Sequence, residues 1–183
     1  MSLLVARKMP RKQKAMEPPT TYPYFSYGSN NLQQLAERVG RTTPFHHEPG
    51  VLKNNTRIFA GYSKRWDGGV ASFYPRKGAN MDGIIVYMTE DELAKLDTYE
   101  GGYVRIRKRV YPMSSPGGYI YAYIYLKKNQ VFSRMPSTAY LEAIHRNIQA
   151  NIIPVYGLDA NTRRLRLMAR WSRDNGIMPP TRA

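Results

Sequence analysis

The chain of 183 residues has no cysteine and only three histidines. The first absence excludes a disulfide scaffold, a thiolate zinc site and a cysteine nucleophile together. It says little about compartment. His46, His47 and His145 are not spaced four residues from any second ligand, so no metal site is expected. The glycines form neither GxGxxG nor GxxxxGK[ST], which argues against a nucleotide-phosphate loop, and there is no GxSxG nucleophile elbow. No cofactor is expected. Acid is also scarce: 13 Asp and Glu stand against 28 Lys and Arg, a formal charge of +15.

That charge is unevenly placed. Residues 1–16 carry five basic side chains and no acid, and residues 161–183 carry six arginines and Asp174. Each end therefore holds +5, and the long stretch between them holds only +5. A mildly basic domain with basic arms differs from a domain with a basic face. The expected organisation is an arm over 1–20, a domain over 21–157 and a basic helix and tail over 158–183. Leu3, Leu4 and Val5 are too few for a secretory or membrane-spanning segment. The first arm reads as a mitochondrial-type targeting segment, an arm that neutralises nucleic-acid phosphates, or a solvated tail. An intracellular protein is expected, mitochondrial if the arm is a targeting segment and otherwise cytoplasmic.

Between the arms, apolar periodicity changes several times. Tyr22–Tyr27 is strand-like, and Asn31–Val39 puts Leu32, Leu35, Ala36 and Val39 on one helix face before Gly40. Residues 41–55 read as loop. Residues 57–62, 69–74 and 82–88 read as three strands. Thr89 and Glu92 have capping-box spacing for a helix over 90–96. Residues 103–111 and 119–126 read as a hairpin turning at Gly117-Gly118, and helices are expected over 136–148 and 159–172. The order does not alternate regularly between strand and helix. The class expected is α+β: a small mixed sheet or partly closed barrel with peripheral helices.

Two clusters carry chemistry. In Phe25-Ser26-Tyr27-Gly28-Ser29-Asn30 a strand turns through glycine into a helix. Such a turn directs backbone N–H groups at one spot beside a positive helix end, suited to a carboxylate, a phosphate or a developing oxyanion. Alternatively, Ser29 and Asn30 simply cap the helix. In Leu96-Asp97-Thr98-Tyr99-Glu100-Gly101-Gly102-Tyr103 two carboxylates stand between helix and strand among aromatics. They could supply a general base, or only an Asp-capped turn and an exposed Glu.

In this order, about 70 residues apart, the pair resembles the γ-glutamylcyclotransferase-like (AIG2-like) family. That family has a Y-G-S-N loop and a later L-D-x-x-E-G segment before a β-hairpin. Arg65-Trp66-Asp67-Gly68-Gly69-Val70-Ala71 is similar to its W-x-G-G-x-A stretch, and the likeness spans about residues 22–155. The resemblance implies release of 5-oxoproline from a γ-glutamyl amino acid or amine by attack of the substrate's own amino group. It implies Glu100 as the base, Tyr27, Gly28, Ser29 and Asn30 as the substrate cradle, and Tyr125 as a tyrosine facing the site. Asn31 stands where the family usually has an apolar residue, which predicts a shifted helix register or pocket wall. The basic arms lie outside the likeness. They support a second reading, a repurposed domain in a ribonucleoprotein such as an organellar ribosome. Arg7, Lys8, Arg11, Lys12, Arg163, Arg164, Arg166 and Arg170 would then contact RNA.

Overall fold

The computed structural model describes residues 18–149, with residues 167, 169, 170, 173 and 174. Five strands and three helices follow one another: β1 (Tyr22–Ser26), α1 (Leu32–Val39), β2 (His47–Ser63), β3 (Gly68–Met88), α2 (Glu90–Asp97), β4 (Tyr103–Pro112), β5 (Ile120–Lys127) and α3 (Thr138–Gln149). The strands form a closed barrel in the order β1-β3-β2-β4-β5. Every neighbouring pair is antiparallel except β1 with β5, which meet in parallel at Tyr24 and Tyr123. Closure leaves no free sheet edge. The expected small mixed barrel is thus present, and it is closed.

Two expectations are corrected. Residues 47–55, read as loop, belong to β2, and the two strands expected over 69–74 and 82–88 are one strand, β3. Pro49, Gly50, Asn54 and Asn55 look like turn residues, but the barrel uses them otherwise. A Cβ on Gly50 would lie 2.7 Å from Ile85 and 3.2 Å from Val110, so this glycine lets strands cross closely. Asn54 adopts φ 56° at a register shift between Lys53 and Asn55, and its side chain accepts from the Gly78 N–H at 3.0 Å. A bulge there keeps the long β2–β3 pair continuous.

Strand alternation separates two apolar layers. Phe25, Phe59, Phe73, Met81, Ile85 and Ile124 belong to one buried cluster, which α3 joins through Tyr140, Leu141 and Ile144. Tyr24 of β1 and Ile84, Val86 and Met88 of β3 face the other way and pack with Leu35 of α1 and Leu93 and Leu96 of α2. Those three leucines are fully buried. Each contributes about 1.5–3 kcal/mol by leaving water. Thr89 and Glu92 make the capping box that their spacing predicts, and Gly40 ends α1 at φ 72°. The helices are therefore fixed at both the sequence and packing levels.

Of the arm residues expected to meet RNA, Arg7, Lys8, Arg11, Lys12, Arg163, Arg164 and Arg166 lie outside the described residues. Arg170 is helical and exposed. Leu167, Ala169 and Arg170 are helical within the helix expected over 159–172, whose other positions also lie outside. No helix among the described residues is long and apolar enough to cross a membrane.

Candidate active site

The strand-to-helix turn after β1 is held from several sides. Asn31, the residue that departs from the family pattern, caps α1: its side chain accepts from the Gln34 N–H at 2.8 Å. Capping therefore does not fall to Ser29 or Asn30. Ser26 Oγ donates to the Asn30 carbonyl at 2.7 Å, and the Asn31 N–H donates to the Ser29 carbonyl at 2.9 Å. Two buried side chains hold the turn from inside the fold. Arg57, 1% exposed on β2, donates through Nε to the Tyr27 carbonyl at 2.9 Å. Asn147 of α3 donates to the Gly28 carbonyl at 2.7 Å and to Ser26 Oγ at 3.1 Å.

In a trans peptide the carbonyl and the following N–H point in opposite directions. Drawing the Tyr27 carbonyl towards Arg57 turns the Gly28 N–H away from Arg57. Drawing the Gly28 carbonyl towards Asn147 does the same for the Ser29 N–H. Among the described residues neither N–H finds an acceptor, and both residues line a cavity of about 460 Å³.

Glu100 reaches this cavity from the α2–β4 turn. That turn is closed by the Glu100 N–H on the Asp97 carbonyl at 3.1 Å and the Tyr103 N–H on the Glu100 carbonyl at 2.8 Å. The Glu100 side chain is 11% exposed. Its Oε1 accepts from Asn30 Nδ2 at 3.0 Å and from Arg38 Nη1 at 3.1 Å. Arg38 also donates to Asn30 Oδ1 at 3.0 Å, closing a triangle. Oε2 has no protein donor among the described residues. Glu100 and the Tyr27–Asn30 turn thus share one cavity. Asp97, the other carboxylate of that segment, is engaged elsewhere: it accepts from Tyr125 Oη at 2.6 Å and pairs with Arg105 at 3.1 Å.

The remaining wall is aromatic and basic. Tyr27 donates to the Tyr125 carbonyl at 2.6 Å, and Tyr103 to the Ala71 carbonyl at 2.9 Å. Tyr140 accepts from the Ala71 N–H at 2.8 Å. Burial raises the hydroxyls of Tyr24, Tyr27, Tyr103 and Tyr125 well above the usual tyrosine range. Tyr140 is pushed up to about 12, chiefly by burial. These groups stay neutral and polar at physiological pH. Lys127 is lowered from the ordinary lysine value by burial, with the charge of Glu100 opposing. Trp66 packs on Tyr140 with centroids 5.0 Å apart. The glycines after Trp66 make this possible: a Cβ on Gly68 would lie 2.6 Å from the Met135 carbonyl oxygen, and one on Gly69 would overlap that of Arg134.

All six residues expected at the site, Tyr27, Gly28, Ser29, Asn30, Glu100 and Tyr125, line the cavity. Tyr125 does so with its hydroxyl committed to Asp97. Sequence reasoning missed Arg38, Arg57, Lys127, Tyr140 and Asn147. Arg38 had a usable signal, since it stands seven residues after the N-cap, two turns along the same face. Arg57 opens the strand expected over 57–62, where solvation is the ordinary expectation, and Asn147 lies in a helix far along the chain.

The family model described as "Gamma-glutamyl cyclotransferase, AIG2-like" matches residues 24–142, and the chain belongs to that family. A solved γ-glutamyl cyclotransferase is 25% identical, with a TM-score of 0.67, covering 79% of this chain and 86% of its own. The Homo sapiens protein loc79017 is 26% identical, with a TM-score of 0.67 and coverage of 89% and 91%. A yeast γ-glutamyl cyclotransferase specific to glutathione shares the fold at 12% identity, with a TM-score of 0.56 and coverage of 85% and 98%. No curated protein sequence matches the chain.

Proposed function

We propose that the chain cyclises a γ-glutamyl amino acid or amine, releasing 5-oxoproline and the free amine. The observation that supports this most is the state of Glu100: one carboxylate oxygen is held by Asn30 and Arg38, and the other is unengaged in the cavity that Gly28 and Ser29 also line. In this reading the substrate's α-amino nitrogen attacks its own γ-carbonyl carbon. The new N–C bond closes a five-membered ring, and the carbonyl oxygen becomes an oxyanion. Oε2 of Glu100 takes the proton from the attacking nitrogen. It returns that proton to the leaving nitrogen as the original amide bond breaks. Gly28 and Ser29 N–H groups donate to the oxyanion or the α-carboxylate, and Arg65 and Lys127 add positive charge for a carboxylate.

An intramolecular attack needs no protein nucleophile. It needs the substrate folded into a near-attack geometry, where effective molarity reaches about 10⁵ M or more. A cavity of about 460 Å³ with a rigid wall can impose that folding. The test is 5-oxoproline formation across a panel of γ-glutamyl substrates. Glu100→Gln is expected to lower kcat by at least about 10²-fold. Equal rates for wild type and Glu100→Gln across the panel would overturn the reading.

A further inference from the structure

The outer face of the β4–β5 hairpin lies apart from the cavity and carries an ordered pattern of its own. Strand alternation puts Arg107, Arg109 and Tyr111 of β4 on the same face as Tyr121 and Tyr123 of β5, and Tyr119, just before β5, joins them with its ring centroid 5.7 Å from that of Tyr121. The register places Arg107 opposite Tyr123 and Arg109 opposite Tyr121. Ile106, Val110, Ala122 and Ile124, on the other face, pack into the barrel. Each guanidinium lies over tyrosine rings: Arg107 is 5.6 Å from the Tyr121 centroid, and Arg109 is 5.0 Å from that of Tyr119. Lys53 of β2 continues the row, 3.8 Å from the Tyr111 centroid. Tyr119 and Tyr121 remain 48% and 45% exposed.

The charges on this face are not neutralised. Arg105, at one end, pairs with Glu90 and Asp97. Among the described residues Arg107, Arg109 and Lys53 have no carboxylate within ion-pair distance. Cross-strand Arg–Tyr pairs do stabilise a hairpin, by about 0.2–1 kcal/mol each. That gain does not account for two uncompensated arginines about 7 Å apart on one strand face, whose mutual repulsion opposes it. A polyanion laid along the row removes the repulsion. Exposed tyrosine rings between the cations add what an acidic peptide cannot use, flat faces for unpaired bases.

We infer that the outer face of the β4–β5 hairpin binds single-stranded nucleic acid, with Tyr119 and Tyr121 stacking on bases and Arg107, Arg109 and Lys53 meeting phosphates. Side chains two apart on a strand repeat at about 7 Å, a spacing comparable with that of phosphates in an extended single strand. Stacking on a sheet surface requires bases free of a duplex, so single strands are selected over double strands. The site is independent of the cavity and of the chemistry proposed for it.

The test is fluorescence anisotropy of a labelled single-stranded oligouridylate with the full chain, titrated at several salt concentrations. Arg107→Gln with Arg109→Gln is expected to weaken binding at least about tenfold. It is also expected to reduce the slope of log K against log salt by about 1.4, at about 0.7 for each phosphate no longer neutralised. Tyr119→Leu with Tyr121→Leu is expected to weaken binding about tenfold at an unchanged salt slope, and Tyr121→Phe to restore its share. The two pairs lie on different segments of the hairpin, so loss of folding in one leaves the other to decide. Binding unaffected by both pairs, or a duplex or polyglutamate bound as tightly as the single strand, would overturn the inference.

Discussion

Arginine and tyrosine meet twice in this molecule, and to opposite effect. At the cavity, Arg38 and Arg57 are consumed: one by Glu100 and Asn30, the other by the Tyr27 and Asp82 carbonyls. The tyrosines there engage their hydroxyls with backbone groups, Asn30 or Asp97. On the hairpin, tyrosines offer ring faces, and Arg107 and Arg109 lie on them with no carboxylate partner among the described residues. The difference is one of dielectric and partner supply. A buried guanidinium must have every donor satisfied, because an unpaired charge there is very costly. A cation at the surface is hydrated, so it can stand without an internal carboxylate and stays available to an outside partner. Net charge therefore locates nothing by itself. What matters is which cations the fold has already engaged.

The sharpest way to break this contrast is to neutralise one arginine in each region. Arg57→Leu leaves the Tyr27 and Asp82 carbonyls without their donor and Asp82 without the cation 3.7 Å away. A loss of about 3 kcal/mol or more is expected. Arg107→Leu is expected to stay within about 0.5 kcal/mol of wild type. Urea denaturation of both variants decides it, and equal losses would erase the distinction. A smaller effect belongs to Asn147, which sits outside the matched family segment yet holds the Gly28 carbonyl. Asn147→Ala is expected to lower kcat about tenfold and to move KM less, because the Ser29 N–H loses its fixed direction. Steady-state kinetics separate the two parameters. A rise in KM at constant kcat would reduce Asn147 to a binding role.

The parts of this fold legible in the sequence are those fixed by local rules. The α1 face, the Thr89 capping box and the β4–β5 alternation all follow from spacing, and all are present. The parts that were not legible depend on distant partners. Gly50 and Asn54 carry turn chemistry, yet they serve a strand crossing and a bulge, because Ile85, Val110 and the β3 register decide their use. At the site, the Tyr27–Asn30 turn and Glu100 were visible as local clusters. Their meeting depends on barrel closure, which brings residues 70 positions apart to 3.0 Å. Arg57 and Asn147 were hidden for the same reason. A polar residue with no local partner reads as solvated until the tertiary structure supplies a carbonyl.

The smallest expected effect concerns the cavity's tyrosines at high pH. Fifteen tyrosines are present, and Tyr24, Tyr27, Tyr103, Tyr125 and Tyr140 form the enclosed set. Burial is the first cause of the upward shift in all five, and for Tyr140 it reaches about 12 with the charge of Glu100 adding to it. In the unfolded chain a tyrosine ionises near about 10. The raised value means that the folded state holds the proton more tightly. The stability this contributes is complete below about pH 10 and is lost as the pH rises towards 12. Tyrosinate absorbance and far-UV circular dichroism, followed together through this range, are expected to show a late ionisation step that coincides with unfolding. Ionisation of these tyrosines while the dichroism stays native would mean that the cavity wall is wet. The contrast with the open hairpin would then rest on the arginines alone.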